Sequence, residues 1–179
     1  LATTTGTGNA AWGRDSLLVN VSGDYNTAIG FQALDGNTSA NNNVAIGKNA
    51  LSGNTTATPN TAVGTDSGIA LTTGSWNTVM GYQALKTATT AQKNVAIGHE
   101  AGYAVTDSEG HTIIGYNAGA AITTGDYNTC IGSWAGDTIT TASYSVAIGY
   151  NALGIGAVTG DGNVAIGKHA CTSNTNGPK

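Results

Sequence analysis

A glycine preceded by an Asn-(Thr/Val)-Ala-Ile string or a close variant of it returns at Gly13, Gly30, Gly47, Gly64, Gly81, Gly98, Gly115, Gly132, Gly149 and Gly167, at intervals of 17 residues eight times and 18 once. A unit of that length buries no core by itself, so each must stack on its neighbours in a quasi-one-dimensional array. Nor can it hold two helices with their turns, and Gly, Thr and Asn at these densities oppose helix. The period therefore predicts an all-β fold over residues 1–179: a single parallel β-solenoid (β-roll) domain of about ten 17-residue coils. Two short parallel strands per coil, stacked at ~4.8 Å, would make a rod roughly 45–50 Å long.

Columns counted from the repeat glycine carry the physical content. Four residues before it stand Asn9, Asn26, Asn43, Asn60, Asn77, Asn94, His111, Asn128, Ser145 and Asn163. A stacked amide has donors and an acceptor, so this column predicts an asparagine ladder bonding to the next coil and to turn backbone. Three before it the residues are mostly Thr or Val, and one before it lie Ile29, Ile46, Ile97, Ile114, Ile131 and Ile148, with Trp12, Val63, Met80 and Ile166. Alternation puts these two columns on one face, where the isoleucines are expected to form the buried stripe. The small column between them, Ala28, Ala45, Ala62 and their equivalents, takes the other face. A strand apolar on both faces is usually covered on both, by the solenoid interior on one side and a partner chain on the other.

Alanine returns three residues after the glycine, followed by Leu34, Leu51, Leu85 and Leu153 or by Gly68, Gly102, Gly119 and Gly136. Eight after it run Thr38, Thr55, Thr72, Thr89, Thr106, Thr123 and Thr140, a second ladder expected in a second strand with Leu71, Val105, Ile122 and Ile139. Turns such as Ser22-Gly23-Asp24-Tyr25 lead back to the next Asn, and the 18-residue repeat carries its extra residue around Gly154-Ile155-Gly156.

Composition excludes several functions. Net charge is −4 with six Lys and Arg, which removes the electrostatic term that dominates nucleic-acid binding. No apolar run approaches the ~20 residues that membrane insertion needs. The chain opens on Leu-Ala-Thr rather than Met, as expected of a processed or excised piece. Cys130 and Cys171 lie two coils apart, ~9.6 Å at the strand spacing, beyond the ~7 Å reach of a disulfide, so both thiols are expected to be free.

Little in the columns reads as chemistry. His99, His111 and His169 fall in three different columns, so no metal site is expected. Asp24, Asp126 and Asp161 sit beside turn glycines, and paired acid and base groups lack a cleft. Gly154, Gly156 and Gly160 have no helix or Lys-Ser/Thr after them, which a phosphate loop requires. The sequons at Asn20, Asn37 and Asn54 share one column and read as a column preference. Ligand contact falls to aromatics: Phe31, Tyr82, Tyr116 and Tyr150 directly after the glycine, and Tyr25, Trp76, Tyr127 and Tyr144 before the Asn column. They could stack on sugars, although recurrence at one column favours packing between coils.

The strings Asn43-Val44-Ala45-Ile46-Gly47-Lys48-Asn49-Ala50, Ser145-Val146-Ala147-Ile148-Gly149-Tyr150-Asn151-Ala152 and Asn163-Val164-Ala165-Ile166-Gly167-Lys168-His169-Ala170 resemble the head repeats of YadA-like trimeric autotransporter adhesins. Others, such as Gly23-Asp24-Tyr25-Asn26-Thr27-Ala28-Ile29-Gly30-Phe31-Gln32-Ala33-Leu34, are similar to shaft repeats of bacteriophage tail fibres and related bacterial fibre proteins. The resemblance covers essentially the whole chain, with a longer period than is common in YadA-like heads. It implies a left-handed β-roll, three chains packed about an axis, and attachment to surfaces.

The expected function is thus that of a non-enzymatic structural and adhesive fibre segment, a rigid extracellular spacer with no cofactor. Its partners would be copies of itself, as a homotrimer or an end-to-end homopolymer, together with a host-surface glycan or protein. A self-polymerising filament subunit is the alternative, since both ends stop inside a repeat without a polar cap. A carbohydrate-binding or ice-binding solenoid follows behind.

Overall fold

A computed structural model describes residues 5–156 and 158–171. Ten strands of three residues, β1 (Ala10–Trp12), β2 (Thr27–Ile29), β3 (Val44–Ile46), β4 (Thr61–Val63), β5 (Thr78–Met80), β6 (Val95–Ile97), β7 (Thr112–Ile114), β8 (Thr129–Ile131), β9 (Val146–Ile148) and β10 (Val164–Ile166), form one parallel sheet in chain order. Ala45 pairs with Ala62 and Ile46 with Val63, and so on up the stack, with the offset rising to 18 only between β9 and β10. There is no helix among the described residues. The chain is a β-solenoid, and the strict period is its register.

Each coil contains one strand, not the two expected. In the threonine segment the N–H groups of Thr38 and Ser39 both donate to the Thr55 carbonyl, at 3.2 and 3.4 Å. Donors and acceptors therefore do not alternate as a strand requires. Two isolated bridges, Gln92 with Glu109 and Ile139 with Val158, are all the pairing outside the named strands among the described residues. The second bridge joins residues 19 apart, and Thr140 N–H reaches the Val158 carbonyl, so the extra residue is absorbed after Leu153 as expected.

The faces of the strand are also reversed. Ala28, Ala45, Ala62 and Ala96 point inward and are fully buried, whereas Ile29 and Ile46 on the outer face are 39% and 37% exposed. Ile97, Ile114, Ile131 and Ile148 are half-buried on that same outer face. The reason is cross-section: alternation sends the Asn column inward together with the residue two before the glycine. The narrow interior is already occupied by Leu34, Leu51 and Leu85, which leaves room for a methyl group but rarely for an isoleucine.

Interior volume is shared within each coil. Where the fourth residue after the glycine is leucine, the seventh is small or amide, as in Leu34 with Asn37 and Leu85 with Ala88. Where the fourth is glycine the seventh is large: Gly68 with Leu71, Gly102 with Val105, Gly119 with Ile122, Gly136 with Ile139. Close packing admits one large side chain at this corner, not two.

Two features let the coils close. The repeat glycines adopt φ between +120° and +141°, and a Cβ on Gly47 would stand 2.5 Å from the Gly64 carbonyl oxygen of the next coil. No other residue meets both demands. Left-handed residues two and four places later then aim their N–H groups in opposite directions: Asn49 donates back to Phe31 O at 2.9 Å, and Leu51 forward to Ser67 O at 3.1 Å. Every coil between the first and the last is thus bonded to both neighbours through its corner as well as its strand.

Candidate functional site

Three polar ladders and two aromatic lanes run along the rod. In the asparagine ladder each Oδ1 accepts the backbone N–H of the next rung, Asn60 N–H to Asn43 at 2.8 Å and Asn77 N–H to Asn60 at 2.9 Å. The amide nitrogen donates to turn carbonyls, Asn43 Nδ2 to Ala57 O at 3.0 Å and Asn77 Nδ2 to Ala91 O at 2.8 Å. Asn26, Asn94 and Asn128 do likewise. The ladder joins coils and closes the corner, as its donors and acceptor predict.

His111 takes one rung. Its N–H donates to Asn94 Oδ1 at 2.8 Å, its Nδ1 accepts from Asn128 N–H at 3.1 Å, and its Nε2 lies 2.9 Å from Ser108 Oγ. An accepting Nδ1 places the proton on Nε2, which donates to Ser108. Burial pushes the imidazole down to about 4 against a partial upward pull from Asp126, so the ring is neutral at physiological pH.

Threonine hydroxyls form the second ladder, but bond to backbone rather than to one another. Thr55, Thr72, Thr89, Thr106 and Thr123 Oγ1 donate to the carbonyl of the next threonine, at 3.0 to 3.5 Å, ending at Thr140. The third ladder escaped the sequence reading. Asp24 Oδ1 accepts Thr7 N–H at 2.6 Å, Asp126 Oδ1 accepts Glu109 N–H at 2.9 Å, and Asp161 Oδ1 accepts Ser143 N–H at 2.7 Å. Its signal was a column of mostly short oxygen-bearing side chains, Thr7, Asp24, Asn41, Thr58, Ser75, Asp126, Ser143 and Asp161, with the longer Gln92 and Glu109, two residues before each rung of the Asn column.

The sequon asparagines Asn20, Asn37 and Asn54 are buried, with Asn37 bonded to both Ala40 N–H and Ala40 O. Their amides serve the corner and are closed to glycan attachment in the folded chain.

The aromatics divide into two exposed lanes that flank the outer strand face. In one, Tyr82, His99 and Tyr116 stack at centroid separations of 5.1 Å, with Trp134 edge-on to Tyr116 at 5.3 Å, while Arg14 lies over Phe31 and Tyr150 meets His169. In the other, Tyr127 stacks on Tyr144 at 5.4 Å, and Tyr25 and Trp76 are exposed. Parallel rings that close must overlap, so their faces are spent on neighbouring coils and their edges face solvent. This geometry serves cohesion better than sugar stacking.

Cys130 is buried and its thiol is pushed up to about 12 by burial, first, and by Asp137; Cys171 is partly buried, and both are free. Among the described residues no three His, Cys, Asp or Glu side chains converge as metal ligands, and no helix is long and apolar enough to cross a membrane.

Between the lanes lies the outer strand face, two columns of Thr, Val, Ile and Met without a charge from Thr27 and Ile29 to Val164 and Ile166. Its exposure reaches 44% at Met80 and 67% at Ile166. Comparison with protein-family models, curated proteins and solved structures finds no match for this chain.

Proposed function

We propose that this chain is a non-enzymatic segment of an extracellular fibre, a stiff spacer and attachment surface assembled from parallel copies of itself. The observation that carries the reading is the uncharged outer face of the sheet, which has an apolar residue at every coil and is flanked by lanes that hold aromatics together with the cations Arg14, Lys48, Lys93 and Lys168. The three-residue strands alone, over nine spacings of ~4.8 Å and ~3.3 Å per residue, present about 430 Å²; with the flanking lanes the face is about six residues wide and reaches about 850 Å², near the ~800 Å² each partner buries in a standard interface. Charge depletion with aromatic enrichment is the usual composition of such a surface. A second copy offers the same corrugation at the same spacing, and three copies facing a common axis would cover all three faces. The head-repeat strings resembling YadA-like adhesins support three.

Stiffness would follow from bonding that runs along the rod at strand, corner and three ladders, so that bending one junction strains many bonds at once. Light scattering behind size exclusion, with micrographs of the same fractions, tests the reading. A mass of three chains as short rods is expected. A monomer at micromolar concentration would sink the assembly, and a filamentous void-volume species would replace it with end-to-end polymerisation.

A further inference from the structure

The asparagine column contains one titratable rung, and the charged groups of the neighbouring turns gather around it. Asparagine presents an acceptor to the next coil at any pH. His111 presents Nδ1, which accepts the Asn128 N–H at 3.1 Å while Nε2 is engaged by Ser108 Oγ at 2.9 Å. Both ring nitrogens are thus occupied and the residue is 1% exposed. A proton added at Nδ1 would break the bond from Asn128 N–H, leaving the Gly125 backbone as the polar group beside the ring and no carboxylate in contact with the buried imidazolium.

Four of the chain's sixteen charged residues lie in this turn and the two turns beside it. Asp107 and Glu109 belong to the coil of His111, Lys93 approaches from the coil before, and Asp126 and Tyr127 from the coil after. Asp107 is exposed beside Thr106. Glu109 turns outward, accepting from Lys93 Nζ at 3.1 Å and from Tyr127 OH. Asp126 Oδ1 is engaged by the Glu109 N–H. Protonation of Glu109 weakens its bond to Tyr127 across the β7–β8 junction and its bond to Lys93 across the β6–β7 junction.

We propose that the junction between β7 and β8 is an acid-labile joint, opened by protonation of His111, at which the rod loosens while the asparagine-rung junctions on either side stay closed. Sequence compensation marks the rung as built rather than tolerated. Three residues before the ladder, coils elsewhere carry Ala40, Ala57, Gly74, Ala91, Gly125 or Ala142, and only the histidine coil carries a hydroxyl, Ser108. The strong downward displacement of the imidazole agrees with a site that refuses the proton until it opens.

The test is the double variant S108A/H111N, which recreates the Ala91-to-Asn94 arrangement of the coil before, melted beside the wild type from pH 7.5 to pH 3.5. On acidification the wild type is expected to lose about 5–10 °C of Tm relative to the variant between pH 6.5 and pH 4. Hydrogen exchange in the wild type at pH 4.5 is expected to quicken across residues 112–131 and not across 44–63. Parallel melting curves would overturn the joint, as would the same acid loss vanishing in E109Q alone. Should the double variant not fold, the wild-type imidazole resonance decides. A midpoint near the ordinary ~6.5, with the Asn128 amide still protected, overturns the proposal. A midpoint close to 4, coincident with loss of that protection, supports it.

Discussion

Leu71 occupies the space that a side chain on Gly68 would need: a Cβ there would stand 3.0 Å from Leu71 Cδ1 and 3.1 Å from Leu51 Cδ2. Coil five solves the same corner the other way, with Leu85 and Ala88. Leu85 has φ of 46° and Gly68 of 56°, so the backbone already fits either solution. Leu71→Ala alone should cost about 3 kcal/mol by leaving a cavity. Gly68→Leu alone should cost about 2 kcal/mol by overpacking. The double variant should recover to within about 1 kcal/mol of the wild type, a coupling that chemical denaturation of the four proteins measures. Additive losses would refute the exchange.

Adjacent residues on β6 separate folding from assembly. Ala96 is fully buried and Ile97 faces outward. Ala96→Asp places a charge in the core and should cost more than about 5 kcal/mol, abolishing the cooperative transition. Ile97→Asp should cost the isolated chain only about 1–2 kcal/mol while reducing the assembled mass to that of one chain. If Ile97→Asp unfolds the chain outright, the outward placement is wrong; if it folds and still assembles, another surface joins the copies.

The ladders should differ in weight because they differ in burial. Asn77→Ala removes the acceptor of Asn94 N–H and the donor to Ala91 O, both in the interior, and should cost about 3 kcal/mol. Thr89→Val loses a 3.5 Å bond from an exposed hydroxyl and should stay under about 0.5 kcal/mol. Thermal melts of the two variants rank them, and equal losses would contradict the assignment.

Asp137 gives a pH dependence opposite in sign to that of His111. Burial raises its carboxyl to about 6, and its Oδ1 is buried without a hydrogen bond. With the folded value above the unfolded one, its contribution is full below about pH 4 and is lost as pH rises through 6. Asp137→Asn should therefore melt like the wild type at pH 4 and be more stable at pH 8, by about 1 kcal/mol once solvent screening of a half-exposed group is allowed for. A gain of equal size at both pH values would point to a cause other than charge.

The repeat period decided the sheet. With the glycine column fixed and no insertion before Leu153, parallel in-register stacking was the only way to bury Ala28 or Ala45, and the Asn column carried both donor and acceptor for a corner ladder. Which face turned inward was decided by tertiary structure. Alternation distinguishes Ala96 from Ile97 but does not say which side closes, because that depends on the coil's cross-section, set by left-handed corners at Asn49, a residue type that adopts them readily, and at Leu51 and Tyr25, where they are unusual. The second strand failed for a related reason: Thr38 and Ser39 share one acceptor, a consequence of how tightly the corner turns. The exchange of Gly68 and Leu71 and the pairing of Ser108 with His111 were present in the letters, but their meaning lies in contacts across a closed coil, and a period records which positions recur without recording which of them touch.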